Sequence, residues 1–280
     1  MNSSDPLLKE GPGTITAAAG TEGAAPAPAE SSGDSSADSA GGRHWSPPDG
    51  LRVVWRLVPR ILAVLALVSA LLVGLLRWVD PPMSAFMMRQ AVVGWWLDRP
   101  RPYFYHDWVP WERIPPALPL AVIAGEDQRF AYHHGFDPEE LRKSLATWRR
   151  GGGLRGASTI TQQTAKNLFL WTGRSWIRKG LEAWFSALIE ALWSKQRILE
   201  VYLNIAQFSP STYGVGAAAE RYFHRPVDEI TLPEAALLAA VLPAPGTSRL
   251  NRPSARLQRR ADWIADQVLR IGGRRYLDLL

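Results

Sequence analysis

The chain has 280 residues, a formal net charge of +6 and no cysteine. Without thiols there are no disulfides, no thiol catalysis and no Cys-ligated zinc, while the positive balance suits an anionic partner: nucleic acid, an anionic membrane surface or a phosphorylated substrate. Thirteen tryptophans suit surfaces where an apolar body meets a polar edge, the membrane interface among them.

Residues 1–50 are built from Ser, Gly, Ala, Pro, Thr and acids, with almost no large apolar side chain before Trp45. Such a segment cannot bury enough surface to offset its ordering entropy, so it is expected to be a disordered tail. It holds two basic residues against seven acidic ones, a net −5, which leaves +11 on residues 51–280.

A membrane-spanning helix is expected over 53–79. Its centre, ILAVLALVSALLVGLL (61–76), is uncharged, and Leu57–Val79 has about the 20 residues that a bilayer core requires. Arg60 and Arg77 flank it, where long side chains reach headgroups, and Trp55 and Trp78 suit interfacial anchors. The competing reading, a buried core helix, fits less well because no polar stripe runs along it. Four arginines precede the span (43, 52, 56, 60) and three follow (77, 89, 99), a slight bias toward an inside N-terminus. Residues 80–110, rich in Pro, Met and aromatics, read either as a connector with core anchors or as an apolar surface resting on the membrane.

From Leu118 helix signals dominate. One helix is expected from Pro119 to His134, closed by Gly135, with Glu126 at its middle. Asp137-Pro138-Glu139-Glu140 starts the next, which runs to Arg150 and a Gly-rich connector at 151–156. Thr159 with Gln162 reads as a capping box for 160–170. Ser175 opens a longer helix with Leu181, Trp184, Phe185, Leu188 and Leu192 at helical spacing. Thr231 with Glu234 caps 232–242, and a basic helix covers 254–271 before Gly272. A short hairpin fits 204–228, and the class is mostly α.

Three segments carry chemistry. In EDQRFAYHHGFD (126–137), a carboxylate on a helix packed against apolar surface has a raised pKa, the setting of a general base or acid; a solvated acidic pair is the alternative. In GASTITQQTAKN (156–167), hydroxyls and amides gather at a helix N-terminus with Lys166 one turn on, suiting a sugar or a pyrophosphate; a polar capped start is the plainer reading. In RKGLE (178–182), Arg178 and Glu182 share a face as either an ordinary ion pair or part of a site. His133 and His134 point in different directions on a helix and do not make a zinc site.

Together these segments, with RILEVYLN (197–204), AAAERYF (217–223) and TLPEAALLAA (231–240), resemble the glycosyltransferase family 51 peptidoglycan transglycosylases, over about 80–275. The chain is similar to their monofunctional biosynthetic branch, with no room for a transpeptidase domain. The resemblance implies a lysozyme-like α domain behind a single anchor in the bacterial inner membrane, N-terminus cytoplasmic and catalytic domain (80–280) periplasmic. It implies lipid II and the growing glycan strand as substrates, polymerised with inversion. It assigns Glu126 as general base, Lys166 and Arg178 as cations at the leaving pyrophosphate, and Glu182 as a second glutamate acting there directly or through a divalent cation. Asp127, Phe130, Ser158, Thr159, Gln162, Gln163, Asn167 and Lys179 fall on substrate-binding positions. No cofactor is required; Mg or Mn at the pyrophosphate, with Glu182 as ligand, is the one metal the resemblance allows. Partners implied are membrane lipids and proteins of wall synthesis and division, not nucleic acid. The alternatives are an anchored muramidase, since such folds also use paired carboxylates on sugars, and a non-catalytic scaffold.

Overall fold

The structure is a computed structural model that describes residues 49–98, 103–152, 158–246 and 250–280, with side chains from Trp55 onward. The tail up to residue 48 and most of the Gly-rich connector lie outside the described residues.

The first helix, α1 (Asp49–Leu75), carries the apolar run and is the one helix among the described residues long and apolar enough to cross a membrane. It ends at Leu75, four residues short of Val79, and turns through Arg77 and Trp78. The reason is partly local: Pro81 and Pro82 lack the N–H groups that would bond the carbonyls of Arg77 and Trp78. Arg197 then holds the turn, donating to the carbonyls of Leu76 and Val79 and pairing with Asp80 at 2.9 Å. Arg77 does not lie free for headgroups either: it donates to Leu192 O at 3.0 Å and sits over the Trp78 ring. Two tryptophan indoles complete the clasp, Trp193 to Val73 O at 2.8 Å and Trp184 to Ser69 Oγ at 3.0 Å. The C-terminal end of the anchor is therefore docked on the following domain, and Val73 is fully buried.

After the clasp, Ser84 caps α2 (Ala85–Trp96) by accepting from Met87 N. This helix buries Met87 and exposes Met88, Val92, Trp95 and Trp96. The centre of the domain is α3 (Ala117–Glu126), apolar on every side and buried from Leu118 to Ala124. It packs against α9 (Leu232–Val241) and α10 (Ala255–Arg270). At Gly125 the Ile264 side chain comes within 3.0 Å of where a Cβ would stand. A second layer puts α5 (Ile160–Phe169) between α6 (Trp176–Leu192) and α7 (Lys195–Ile205). The expected hairpin is present as β2 (Gln207–Ser209) and β3 (Thr212–Tyr213), with β1 (Tyr105–His106) parallel to β3 in the order β1-β3-β2. Buried Asn204 holds this sheet end through both the N–H and the C=O of Val109. Helix α8 (Val215–Phe223) follows the hairpin.

The capping signals land where the sequence puts them. Asp137 accepts from Glu139 N and Glu140 N at the start of α4 (Pro138–Arg149), and Ser175 and Thr231 open α6 and α9. Thr159 caps α5 through Gln162 N, but Gln162 does not close the box; the Thr159 hydroxyl instead donates to Gly135 O at 2.7 Å.

The largest departure is the end of α3. The helix stops at Glu126 rather than running to His134, Asp127 leaves it at φ −160°, and a 3-10 turn covers Phe130–Tyr132. Glu126 is thus a helix end and not a mid-helix residue. Asp127 is drawn off the helix because its carboxylate is engaged twice, by His133 Nε2 at 2.9 Å and by Ile160 N at 3.0 Å. Gly135, at φ +80°, does not close that helix; a Cβ there would stand 3.0 Å from the Glu190 side chain, so only glycine fits both the conformation and the space.

Candidate active site

The last residue of α3, the face of α5 and the first two turns of α6 meet in one cleft. Glu126 projects from the C-terminal end of α3 with its side chain 11% exposed. Its Oε2 accepts from Gln163 Nε2 at 2.9 Å, and the Gln163 carbonyl in turn accepts from Tyr202 OH at 3.1 Å. Its Oε1 faces Arg260 Nη2 at 3.3 Å, from α10. Burial pushes the Glu126 carboxyl above the usual range, opposed by the Gln163 bond and by the charges of Arg260 and Lys166. Burial likewise holds the Lys166 ammonium below its ordinary value, with Glu182 and Glu126 pulling it back up and Arg178 and Lys179 pushing it further down. Lys166 therefore feels both glutamates. Its ammonium sits 5.9 Å from the Phe86 ring centroid, so α2 also lines the cleft.

Helix α6 supplies the other pole. Glu182 is buried, with Arg178 Nη1 at 2.9 Å from Oε2 and Lys179 Nζ on Oε1. Its burial excludes the ordinary solvated ion pair that the sequence left open. Four cations (Lys166, Arg178, Lys179, Arg260) against two carboxylates leave a surplus of two positive charges. The buried Arg178 Nε and Asn167 Oδ1 have no hydrogen-bond partner among the described residues, so polar capacity remains for a ligand. The arrangement joins a desolvated carboxylate able to take a proton to a cation cluster able to receive an anion.

A divalent cation fits this donor set poorly. Both oxygens of Glu182 already face a side-chain cation, and Glu182 belongs to no group of three ligating side chains among the described residues. The one such group, Asp127, His133 and Asp137, is committed to structure: Asp127 holds His133 and the α5 N-terminus, and Asp137 caps α4 with Arg129 3.6 Å away.

Not every sequence-chosen residue lies in the cleft in the same sense. Gln163 bonds Glu126, Lys166 is within electrostatic reach of Glu126 and Glu182, Arg178 and Lys179 pair with Glu182, and Asn167 is buried on the helix that carries Gln163 and Lys166. Asp127, Phe130 and Thr159 are buried supports. Phe130 lies under the Lys195 ammonium at 4.4 Å, and Lys195 also donates to His133 O and Glu190. Gln162 is buried and Ser158 exposed at the α5 N-terminus. The sequence left His133 without a role, and the Asp127 bond supplies one. His133→Ala is expected to lower stability by roughly 1–3 kcal/mol, since it strips a buried carboxylate of a partner; a thermal melt in detergent checks this.

Two residues of the site escaped the sequence reading. Tyr202 looked like core, and it is core except for its hydroxyl. Arg260 was one of many arginines on a basic helix. The available signal was its place three after Leu257 and one before Ala261, on the rim of the buried stripe Leu257, Ala261, Ile264 and Val268.

Comparison with known proteins places the chain in a family. A family model described as transglycosylase matches residues 97–269. A biosynthetic peptidoglycan transglycosylase of Pseudomonas aeruginosa is 48% identical over 227 residues, 81% of this chain and 97% of that relative. One of Pseudomonas putida (strain GB-1) is 51% identical over 222 residues, 79% and 94% of the two chains, and one of Xylella fastidiosa is 47% identical over 226 residues, 80% and 93%. The family match spans more than half of the chain and contains both glutamates and all four cations of the cleft; the chain belongs to the transglycosylase family.

Proposed function

We propose that this chain is a peptidoglycan glycosyltransferase that polymerises lipid II into β-1,4-linked glycan and releases undecaprenyl pyrophosphate. The observation that carries the reading is one half-buried lysine, Lys166, set electrostatically between a desolvated carboxylate, Glu126, and the Arg178–Lys179–Glu182 cluster. Glu126 takes the proton of the acceptor 4-hydroxyl. That oxygen forms a bond to C1 of the donor sugar as the bond from C1 to the pyrophosphate oxygen breaks, inverting the centre from α to β. Charge grows on the leaving pyrophosphate, and Lys166, Arg178 and Lys179 meet it. Glu182 holds Arg178 and Lys179 in place. Gln163 orients Glu126, with Asn167, Gln162 and Ser158 lining the sugar side.

The substrate class also suits the rest of the molecule. Helix α1 anchors the chain in the bacterial inner membrane, N-terminus cytoplasmic and the domain periplasmic. The exposed Met88, Trp95 and Trp96 of α2, with Trp176 and Ile177 at the start of α6, meet the lipid where the substrate's tail resides. Proteins of wall synthesis and division are the expected partners.

The test is incubation of the purified full-length protein with lipid II in detergent, products being run on a gel before and after muramidase digestion. Muramidase-sensitive chains are expected. Breakdown of pre-formed glycan without polymer formation would replace the synthase with a lytic enzyme, and neither activity would leave a scaffold.

A further inference from the structure

The basic helix α10 is absorbed only in part by the reading above. Its buried face, Leu257, Ala261, Ile264 and Val268, packs on α3 and α9, and Ile264 against Gly125 already fixes the α10–α3 contact. Arg260 does something different. One nitrogen, Nη2, lies 3.3 Å from Glu126 Oε1 and 3.3 Å from Gly125 O. A single donor thereby ties the Glu126 carboxylate to the backbone of the preceding residue, 134 positions away in sequence.

We propose that Arg260 is the positioning residue of Glu126, fixing its carboxylate at the end of α3 and keeping it ionised for proton transfer. The proposal rests on Glu126 being the base. Its logic is a division of labour between the two oxygens. Oε2 is held by Gln163, a neutral donor locked from behind by Tyr202. Oε1 receives the only cation within bonding distance of Glu126 among the described residues. A buried carboxylate favours its neutral form, and a neutral carboxyl cannot act as a base. The other groups facing Glu126 do not replace Arg260. Lys166 is drawn more strongly to Glu182 than to Glu126. Tyr202 is held in its uncharged form by burial. Asp127, the next residue, is paired with His133.

The experiment is the pH dependence of lipid II polymerisation by full-length protein in detergent, for wild type, Arg260→Met, Arg260→Gln and Arg260→Lys, with melting curves for each. Removing the cation disfavours the ionised base, so the acid limb moves to higher pH. A displacement of about one pH unit is expected for both neutral variants, with a loss of about tenfold or more at neutral pH that shrinks as pH rises. Arg260→Lys restores the position of the limb while recovering only part of kcat, and KM for lipid II changes little. An acid limb unmoved in the folded neutral variants overturns the proposal. So does complete inactivity of both at every pH with wild-type melting, because lost charge alone is recoverable by raising pH. If Arg260→Met fails to fold, Arg260→Gln carries the reading, and failure of both marks Arg260 as structural and also overturns it. Glu126→Gln, run in parallel, separates the two levels. If it still polymerises, the assignment of the base is wrong; if it is dead while the Arg260 limb is unmoved, only the role of Arg260 falls.

Discussion

Glu126→Gln is expected to lower glycan polymerisation by about 10²- to 10⁴-fold, the usual contribution of a positioned general base, while the protein melts close to wild type. Gln has the same shape and keeps a carbonyl that can accept from Gln163 or Arg260, so the local geometry survives. What it loses is the ability to take a proton. The wild type carries a second mark of the same chemistry. Burial is the largest influence on Glu126 and raises it, and the base must be deprotonated to work. Activity therefore falls as pH drops through that raised value, above the ordinary carboxylate range. Initial rates from a gel-resolved time course, with thermal melts of both proteins, check the pair. A mutant within tenfold of wild type would remove Glu126 from the chemistry, and a lowered melting temperature would assign the loss to folding.

Lys166→Met should cost about 10²- to 10³-fold in kcat, the range seen when one preorganised group opposite developing negative charge is removed. Lys166 is suited to that task because it is desolvated: its charge acts through little intervening water, under the influence of both glutamates and of Arg178 and Lys179. Methionine preserves an apolar stem beside Phe86, and Glu182 keeps its two partners on α6, so the variant should fold. Because the pyrophosphate bears charge before and after bond breaking, KM should rise as well, though by less than kcat falls. Steady-state rates over a range of lipid II concentrations separate the two effects. A loss confined to KM would make Lys166 a ground-state binding group and shift the leaving-group role to Arg178 and Lys179.

Several parts of this molecule were written locally. The apolar helix α1 is readable because its uncharged run over 61–76, extended at both ends, reaches about the length that a bilayer core requires. The starts of α4, α5 and α6 are readable because Asp137, Thr159 and Ser175 accept from N–H groups two or three residues on, and that of α9 because the Glu234 carboxylate accepts from Thr231 N–H three residues back. Motif resemblance then joined Glu126, Lys166 and Arg178 into one site, which no single segment could do.

The tertiary structure decided the rest, and the reason is the same each time. The length of α3 is not a property of its own sequence: Asp127 leaves the helix because Ile160, far along the chain, and His133 compete for its carboxylate. The turn after Leu75 is held by Arg197, more than a hundred residues later, which bonds the carbonyls of Leu76 and Val79. Arg260 is one arginine among several on α10 until the fold brings it to Glu126. Local hydrogen bonds and hydrophobic period leave a trace at fixed spacing. A contact between distant residues leaves none, since its partners become neighbours only when the core of α3, α9 and α10 has closed.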